Sequence, residues 1–456
     1  MGSWLDAALG YIPQWLEFQM RQSEQPGCVF AIVEAGRLRF DRAFGSADLG
    51  RGEDLTPRHR FRVASHSKSF TAAGIMKLRE QGRVRLDDPV GQYVDGLHPE
   101  VGAATIAQLL SHSAGLVRDG NDSGQWSDRR PFLDAAEIRA DLAAGPVLPA
   151  NTRMKYSNHG YGVLGFVIEA VTGETYRSWI QREIVGPAGL RETEPDMPLH
   201  AAAPFARGHG AKLPLGRRAI IPGENETGAL APATGFVSTA ADLALFFNQL
   251  APDSETSVLS AASRREMIRP QWPEAHSSGK RQYGLGIICG EVGDWSGFGH
   301  SGGFQGYITR TVTVPAQALT VSVLTNAADG PAQGWSEAAL HILQGFAKRG
   351  APAPTTAGWT GRWWSLWGAF DLVPMGDRVL IAAPGLANPL LDASEVEIIG
   401  PDEGRIALAG SFAHHGERLR LERDAAGTVI AVWLGGTRLL PEAAIAAELA
   451  DRYDTA

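Results

Sequence analysis

Between Pro26 and Gly45 the run PGCVFAIVEAGRLRFDRAFG sets β-branched and aromatic residues on both sides of Glu34-Ala35-Gly36. This pattern predicts two strands joined by a turn, at the edge of a sheet. From Ser65 to Gln81, SHSKSFTAAGIMKLREQ places apolar residues at Phe70, Ala73, Ile75, Met76 and Leu78, with Gly82 as the residue just beyond the helix end. The spacing predicts a helix with one buried face. HGYGVLGFVIEAVTG and STAADLALFFNQL continue in helical period, YITRTVTV and ALTVSVLTN return to strand period, and WSEAALHILQGFAKR closes as a helix. Strands at both ends with helices between them imply a sheet completed by segments distant in sequence.

Beyond GAPAPTTAG, residues 350 to 358, the pattern changes. Short strand-like runs, RVLIAAP, RIALAGSF, RLRLERD and TVIAVWLGG, alternate with Gly, Asp and Pro, which predicts a small antiparallel β domain or barrel over residues 359 to 456. Residues 1 to 349 form the larger domain, with 350 to 358 as linker. The tryptophans between Trp359 and Trp367 suit the packing of a small β core better than a ligand site. At the other end, MGSWLDAALGYIPQWLEFQMRQ spaces its large apolar residues as a surface helix packed on the core would. It lacks a basic leader, a continuous apolar stretch and a cleavage site, and is read as no signal peptide.

Composition narrows the function. The 456 residues, 44% hydrophobic and 20% charged, are ample for a full core and more than one domain. A formal net charge of −8 without clustered Lys and Arg argues against nucleic acid as partner. No run reaches the roughly 18 apolar residues that a membrane span needs. A cytoplasmic protein is therefore expected. The two cysteines, Cys28 and Cys289, lie in apolar runs and read as core residues, with no disulfide framework, metal site or cofactor implied.

Candidate chemistry begins with two serines. Gly299-His300-Ser301-Gly302-Gly303 fits G-x-S-x-G, the nucleophile elbow of a hydrolase, but strand pattern follows it where the elbow requires a helix. Ser65 is the better nucleophile. Ser65 and Lys68 stand three apart at a helix start, on one face and near the positive end of the helix dipole. A lysine in an apolar or hydrogen-bonded pocket can lose its proton and accept one from a serine hydroxyl. Tyr156-Ser157-Asn158 adds a phenol that can relay a proton and an amide that can hold a substrate carbonyl. The ordered triple S-x-x-K, Y-x-N, H-x-G is far more specific than any one member. Ser111-His112-Ser113 is read as a helix-end turn.

At these residues the chain resembles the β-lactamase and penicillin-binding-protein superfamily, in the branch of class C β-lactamases, D-aminopeptidases, D-alanyl-D-alanine carboxypeptidases and related esterases. The likeness runs over most of residues 20 to 348, through FRVASHSKSFTAAGIMKLREQG, LDDPVGQYV, TIAQLLSHSAGL, MKYSNHGYGVLGFVIEAVTG, GFVSTAADLALF and GHSGGFQG. It implies an α/β (α+β) domain, an antiparallel sheet flanked by helices beside an all-helical region. The C-terminal β domain is similar to lipocalin-like appendages of some D-aminopeptidases and of peptide-cyclising thioesterases.

By that resemblance Ser65 is the acylated nucleophile, Lys68 takes its proton, Tyr156 shuttles a proton to the leaving group and Asn158 orients the substrate amide. His300 stands where class C β-lactamases have lysine, which disfavours a β-lactam carboxylate and favours peptides or amides. Ser301 lines the sheet edge, Gly302 allows close approach of the substrate backbone, and the N–H groups of Ser65 and Gly303 form the oxyanion hole. The expected activity is a serine hydrolase acting through an acyl-enzyme on small peptides or amides, with D-stereospecificity taken from the family. A carboxylesterase and a peptide-cyclising thioesterase are the alternatives, and a non-catalytic receptor the remote one. The partner is a small-molecule or short-peptide substrate, and a homodimer stays open. His66 is read as turned away from Ser65.

Overall fold

The computed structural model describes residues 3–200, 203–275, 280–411 and 413–453, so Phe412 of RIALAGSF lies outside it. The chain divides into two compact units, one of residues 25–336 and the other of residues 3–24 together with 337–453.

The larger unit is built on a nine-stranded antiparallel sheet. Its middle holds Gly27–Glu34, Leu319–Thr325, Tyr307–Val314 and Trp295–Phe304, in that order. Arg37–Asp48 and the short Glu53–Asp54 complete one side, and Ile288–Val292, Gln282–Tyr283 and Trp272–Pro273 the other. The hairpin expected at the edge is therefore placed further in. Its first strand pairs with Leu319–Thr325, Phe30 opposite Val323, because Gly27–Glu34 is apolar on both faces and needs cover on both. The turn forms at Ala35 and Gly36, both at positive φ, as a tight two-residue hairpin requires.

The helix expected from Ser65 is a 3-10 turn, Ala64–His66, followed by an α-helix, Ser67–Glu80, and Gly82 takes the positive φ of a helix end. It is not amphipathic: every residue from Ser67 to Met76 is buried. Phe70 stacks between Phe236 and Phe246, with ring centroids 4.2 and 3.9 Å away, and joins one core with Val29, Ala31, Val33 and Leu324 of the sheet. This helix lies between the sheet and the helical region, so its polar residues are satisfied internally. Ser69 donates to the Gly286 carbonyl (2.7 Å) and Thr71 to the Pro232 carbonyl (2.7 Å).

The second unit is an eight-stranded antiparallel sheet running in sequence order from Gly361–Ser365 to Thr437–Leu439. Trp364 and Leu440 exchange backbone hydrogen bonds of 2.7 and 2.9 Å, nearly closing it into a barrel. Trp359 and Trp363 fill its core, as expected, whereas Trp367 sits in a hairpin turn and is 91% exposed. Residues 350–358 are tied to the barrel, Thr356 donating to the Gly376 carbonyl (2.8 Å). The N-terminal helix, Trp4–Gln22, groups with this unit: Tyr11 donates to Asp371 (3.0 Å) and Gln19 to the Pro384 carbonyl (2.6 Å). Among the described residues no helix is long and apolar enough to cross a membrane.

Candidate active site

Ser65 is presented by a turn under strain. Ala64 adopts φ +49°, a left-handed conformation that costs a non-glycine residue about 1–3 kcal/mol and persists only where surroundings enforce it. The surroundings do so. His66 bonds the Val63 carbonyl through Nδ1 and Thr311 Oγ1 through Nε2, each at 3.0 Å. Ser67 Oγ donates to the Ala64 carbonyl (2.6 Å) and accepts from the Phe236 amide (3.0 Å). His66 thus faces the sheet, away from Ser65, and burial pushes its pKa down to about 3. It is a neutral strut between the turn and the strand behind it.

Tyr156 and Asn158 are set by a helix cap between them. Ser157 caps the Asn158–Thr172 helix by accepting from the Gly160 amide (2.9 Å), and donates to the Val117 carbonyl (2.6 Å). Of its two neighbours, Tyr156 reaches Ser65 and Asn158 reaches Lys68.

Four of the residues expected in the site are joined by hydrogen bonds. Tyr156 OH donates to Ser65 Oγ (2.9 Å), and Lys68 Nζ stands 3.2 Å from the same oxygen. Lys68 also donates to Asn158 Oδ1 (2.7 Å) and to the Ala233 carbonyl (2.8 Å). Its side chain is fully buried and its pKa is driven well below the ordinary lysine range, burial outweighing the attraction of Asp119, with Arg118 adding to the fall. A neutral amine has two protons and one lone pair. The two carbonyl acceptors take the protons, which leaves the lone pair for the Ser65 hydroxyl. Burial holds the Tyr156 phenol above the ordinary tyrosine range, so it stays protonated and donates.

His300 is buried, and its hydrogen bonds go elsewhere. Assigned as the Nδ1–H tautomer, it donates to the Ser301 carbonyl (2.7 Å) and accepts from Tyr283 OH (3.0 Å). Burial and the nearby His66 and Lys68 keep the ring neutral. Ser301 is half-buried on the same strand, opposite Arg310, and Gly303 is exposed opposite Ile308. The close approach at Gly302 comes from within the protein: a Cβ there would lie 2.2 Å from the Val63 carbonyl oxygen and 2.5 Å from Thr309 Oγ1. Gly302 lets the strand press against the turn that carries Ser65. Gly302→Ala is therefore expected to cost about 1–3 kcal/mol, as overpacking does, and to lower the melting temperature by roughly 2–4 °C per kcal/mol, measurable by calorimetry.

Several contributors carry no motif. Asp119 accepts from Asn158 Nδ2 (2.6 Å) and from Trp126 Nε1 (2.9 Å), and pairs with Arg118 (3.1 Å). His112, at φ +59° just past the Ile106–Leu110 helix, lays its ring 4.2 Å from that of Tyr156 and accepts from the Ser157 amide (3.2 Å). The helix-end turn is present, and its histidine buttresses the phenol. Among the described residues no cluster of three or more His, Cys, Asp or Glu could hold a metal.

Known proteins align with this architecture. Penicillin-binding protein 4 of Amycolatopsis lactamdurans is 29% identical over 317 residues, 66% of this chain and 81% of that protein. The octameric penicillin-binding protein homologue from Pyrococcus abyssi superposes with a TM-score of 0.67 at 23% identity, over 95% of this chain and 99% of its own. The D-amino acid amidase from Ochrobactrum anthropi SV3 superposes with a TM-score of 0.65 at 22% identity, over 75% of this chain and 99% of its own. The family model named Beta-lactamase matches residues 13–345, most of the chain, and the protein belongs to that family.

Proposed function

We propose that the protein is a serine hydrolase that forms and then breaks an acyl-enzyme at Ser65, acting on short peptides or amides that carry a D-configured residue. One observation carries the reading: Ser65 Oγ lies between a phenol that donates to it and a buried amine whose two protons are taken by fixed acceptors. In the acylation step Lys68 Nζ accepts the Ser65 proton as Oγ bonds to the substrate carbonyl carbon. The carbonyl oxygen becomes the oxyanion, held by the N–H groups of Ser65 and Gly303. The C–N bond then breaks as Tyr156 gives its proton to the departing amine, and the proton on Lys68 passes to Tyr156 through the site. Water attacks the ester by the reverse route.

Two features favour amides over β-lactams. His300 is neutral where class C enzymes have a lysine, so a substrate carboxylate meets no fixed charge from that strand. The fold neighbours include a D-amino acid amidase. The test is turnover by one preparation of D-alanine amide, L-alanine amide, p-nitrophenyl butyrate, a peptidyl thioester and benzylpenicillin. The D-amide is expected to have the highest kcat/KM, with penicillin the slowest. Preference for the ester or the thioester would replace the amide assignment and keep the acyl-enzyme.

A further inference from the structure

We propose that Asp119 is a positioning residue: it fixes which way round the Asn158 side-chain amide sits, and thereby keeps the Lys68 lone pair directed at Ser65. The inference rests on the reading of Ser65 as the acylated residue. An asparagine amide fits its cavity in either orientation, because oxygen and nitrogen have nearly the same size. Only one orientation serves here. With Oδ1 toward Lys68, as observed at 2.7 Å, Asn158 takes a proton of the amine. With Nδ2 there, it would offer a proton to the lone pair and leave the Ser65 hydroxyl without a base.

What separates the two is the group on the far side of the amide. Asp119 Oδ1 lies 2.6 Å from Asn158 Nδ2. A carboxylate has no proton to give, so it binds the N–H edge with a charge-assisted bond and repels the carbonyl edge. The carboxylate is itself held. Trp126 Nε1 donates to the same oxygen (2.9 Å), Arg118 Nε pairs with the other (3.1 Å), and the backbone N–H of Asn158 donates to the Arg118 carbonyl (2.9 Å). Its side chain is 14% exposed, and these bonds go to Asn158, Trp126 and Arg118, one residue removed from the reacting atoms.

The test is the rate at which Ser65 of the full-length protein is phosphonylated by a fluorophosphonate, Oγ bonding to phosphorus as fluoride leaves, for wild type, Asp119→Ala, Asp119→Asn, Asn158→Ala and the double variant Asp119→Ala/Asn158→Ala. Asp119→Ala is expected to slow this phosphonylation by about tenfold or more, the scale of a lost charged hydrogen bond. Asp119→Asn, whose carbonyl oxygen the Trp126 N–H holds at the position that accepts from Asn158 Nδ2, should stay within about threefold of wild type. In the Asn158→Ala background, removing Asp119 should change the rate by less than about twofold, since nothing remains to be oriented. A residue that merely stabilises the loop would cost the same in both backgrounds. Additive losses, or an Asp119→Asn as slow as Asp119→Ala, overturn the inference. If Asp119→Ala does not fold, Asp119→Ser supplies the same comparison. Failure of the wild type to label on Ser65 refutes the acyl-enzyme reading instead.

Discussion

Ser65→Ala is expected to lower hydrolysis of the best substrate by roughly ten-thousandfold or more, the scale seen when a nucleophile is removed from a preorganised site. The size follows from what remains. Lys68 would keep its bonds to Asn158 and Ala233, and Tyr156 its place against His112, so binding and any oxyanion contacts survive without an oxygen to acylate. The variant should therefore keep its fold and its affinity, lowering kcat with little change in binding of a substrate amide. Parallel steady-state kinetics and calorimetric titration check this, and an equal loss of affinity would mean that Ser65 serves binding instead.

Lys68→Met carries the second largest effect, a loss of roughly a thousandfold in acylation, within the range for removal of a general base. Methionine matches the length and apolar stem of lysine but has no proton acceptor for the Ser65 hydroxyl. The variant is expected to lose about 1–3 kcal/mol of stability for each of the Asn158 and Ala233 carbonyls left without the amine's proton, which calorimetry reads beside the rate. The same base fixes the sign of the pH profile. Acylation needs neutral Lys68, whose pKa is depressed, so the rate holds above that pKa and is lost as pH falls through it. The charged or titratable groups around it are Asp119, Arg118, His112, His300, Tyr156 and Tyr161. His112 and His300 are held neutral by burial, and the two phenols are held above their ordinary range. The acid limb thus belongs to Lys68 and should vanish in Lys68→Met. Rates of Ser65 phosphonylation by a fluorophosphonate, followed from alkaline pH down to the acid edge of stability, read it directly.

How much was legible in the chain follows from how local each interaction is. Ser65 and Lys68 share one helical face, and Tyr156 and Asn158 flank one cap, so short patterns record them. The second acceptor of Lys68 is the Ala233 backbone carbonyl, which any residue could provide and no motif marks. Asp119 and His112 reach the site from loops whose course depends on tertiary packing, and an aspartate or histidine in a loop has no period to betray it. Gly302 shows the reverse case. The family resemblance marks it for approach of a substrate backbone, and the structure adds a requirement no motif records, the 2.2 Å approach to Val63, a contact between segments far apart in sequence. Likewise the spacing of Phe70, Ala73, Ile75, Met76 and Leu78 marks only one buried face of the Ser67–Glu80 helix, while its serines, threonine and lysine are buried too. Buried hydrogen bonds to Gly286, Pro232 and Ala233 satisfy them. The central sheet and the barrel were legible because strand period and turn residues are written along the chain. The inward position of the first hairpin was not, because it depends on pairing with residues 319–325, far along the chain.

The most direct measurement is peptide mapping by mass spectrometry after fluorophosphonate treatment of wild type, Ser65→Ala and Ser301→Ala. Covalent label on the Ser65 peptide of wild type and Ser301→Ala, and on no peptide of Ser65→Ala, is the predicted result. Label on Ser301, or label that survives Ser65→Ala, would contradict the assignment of Ser65 as the nucleophile.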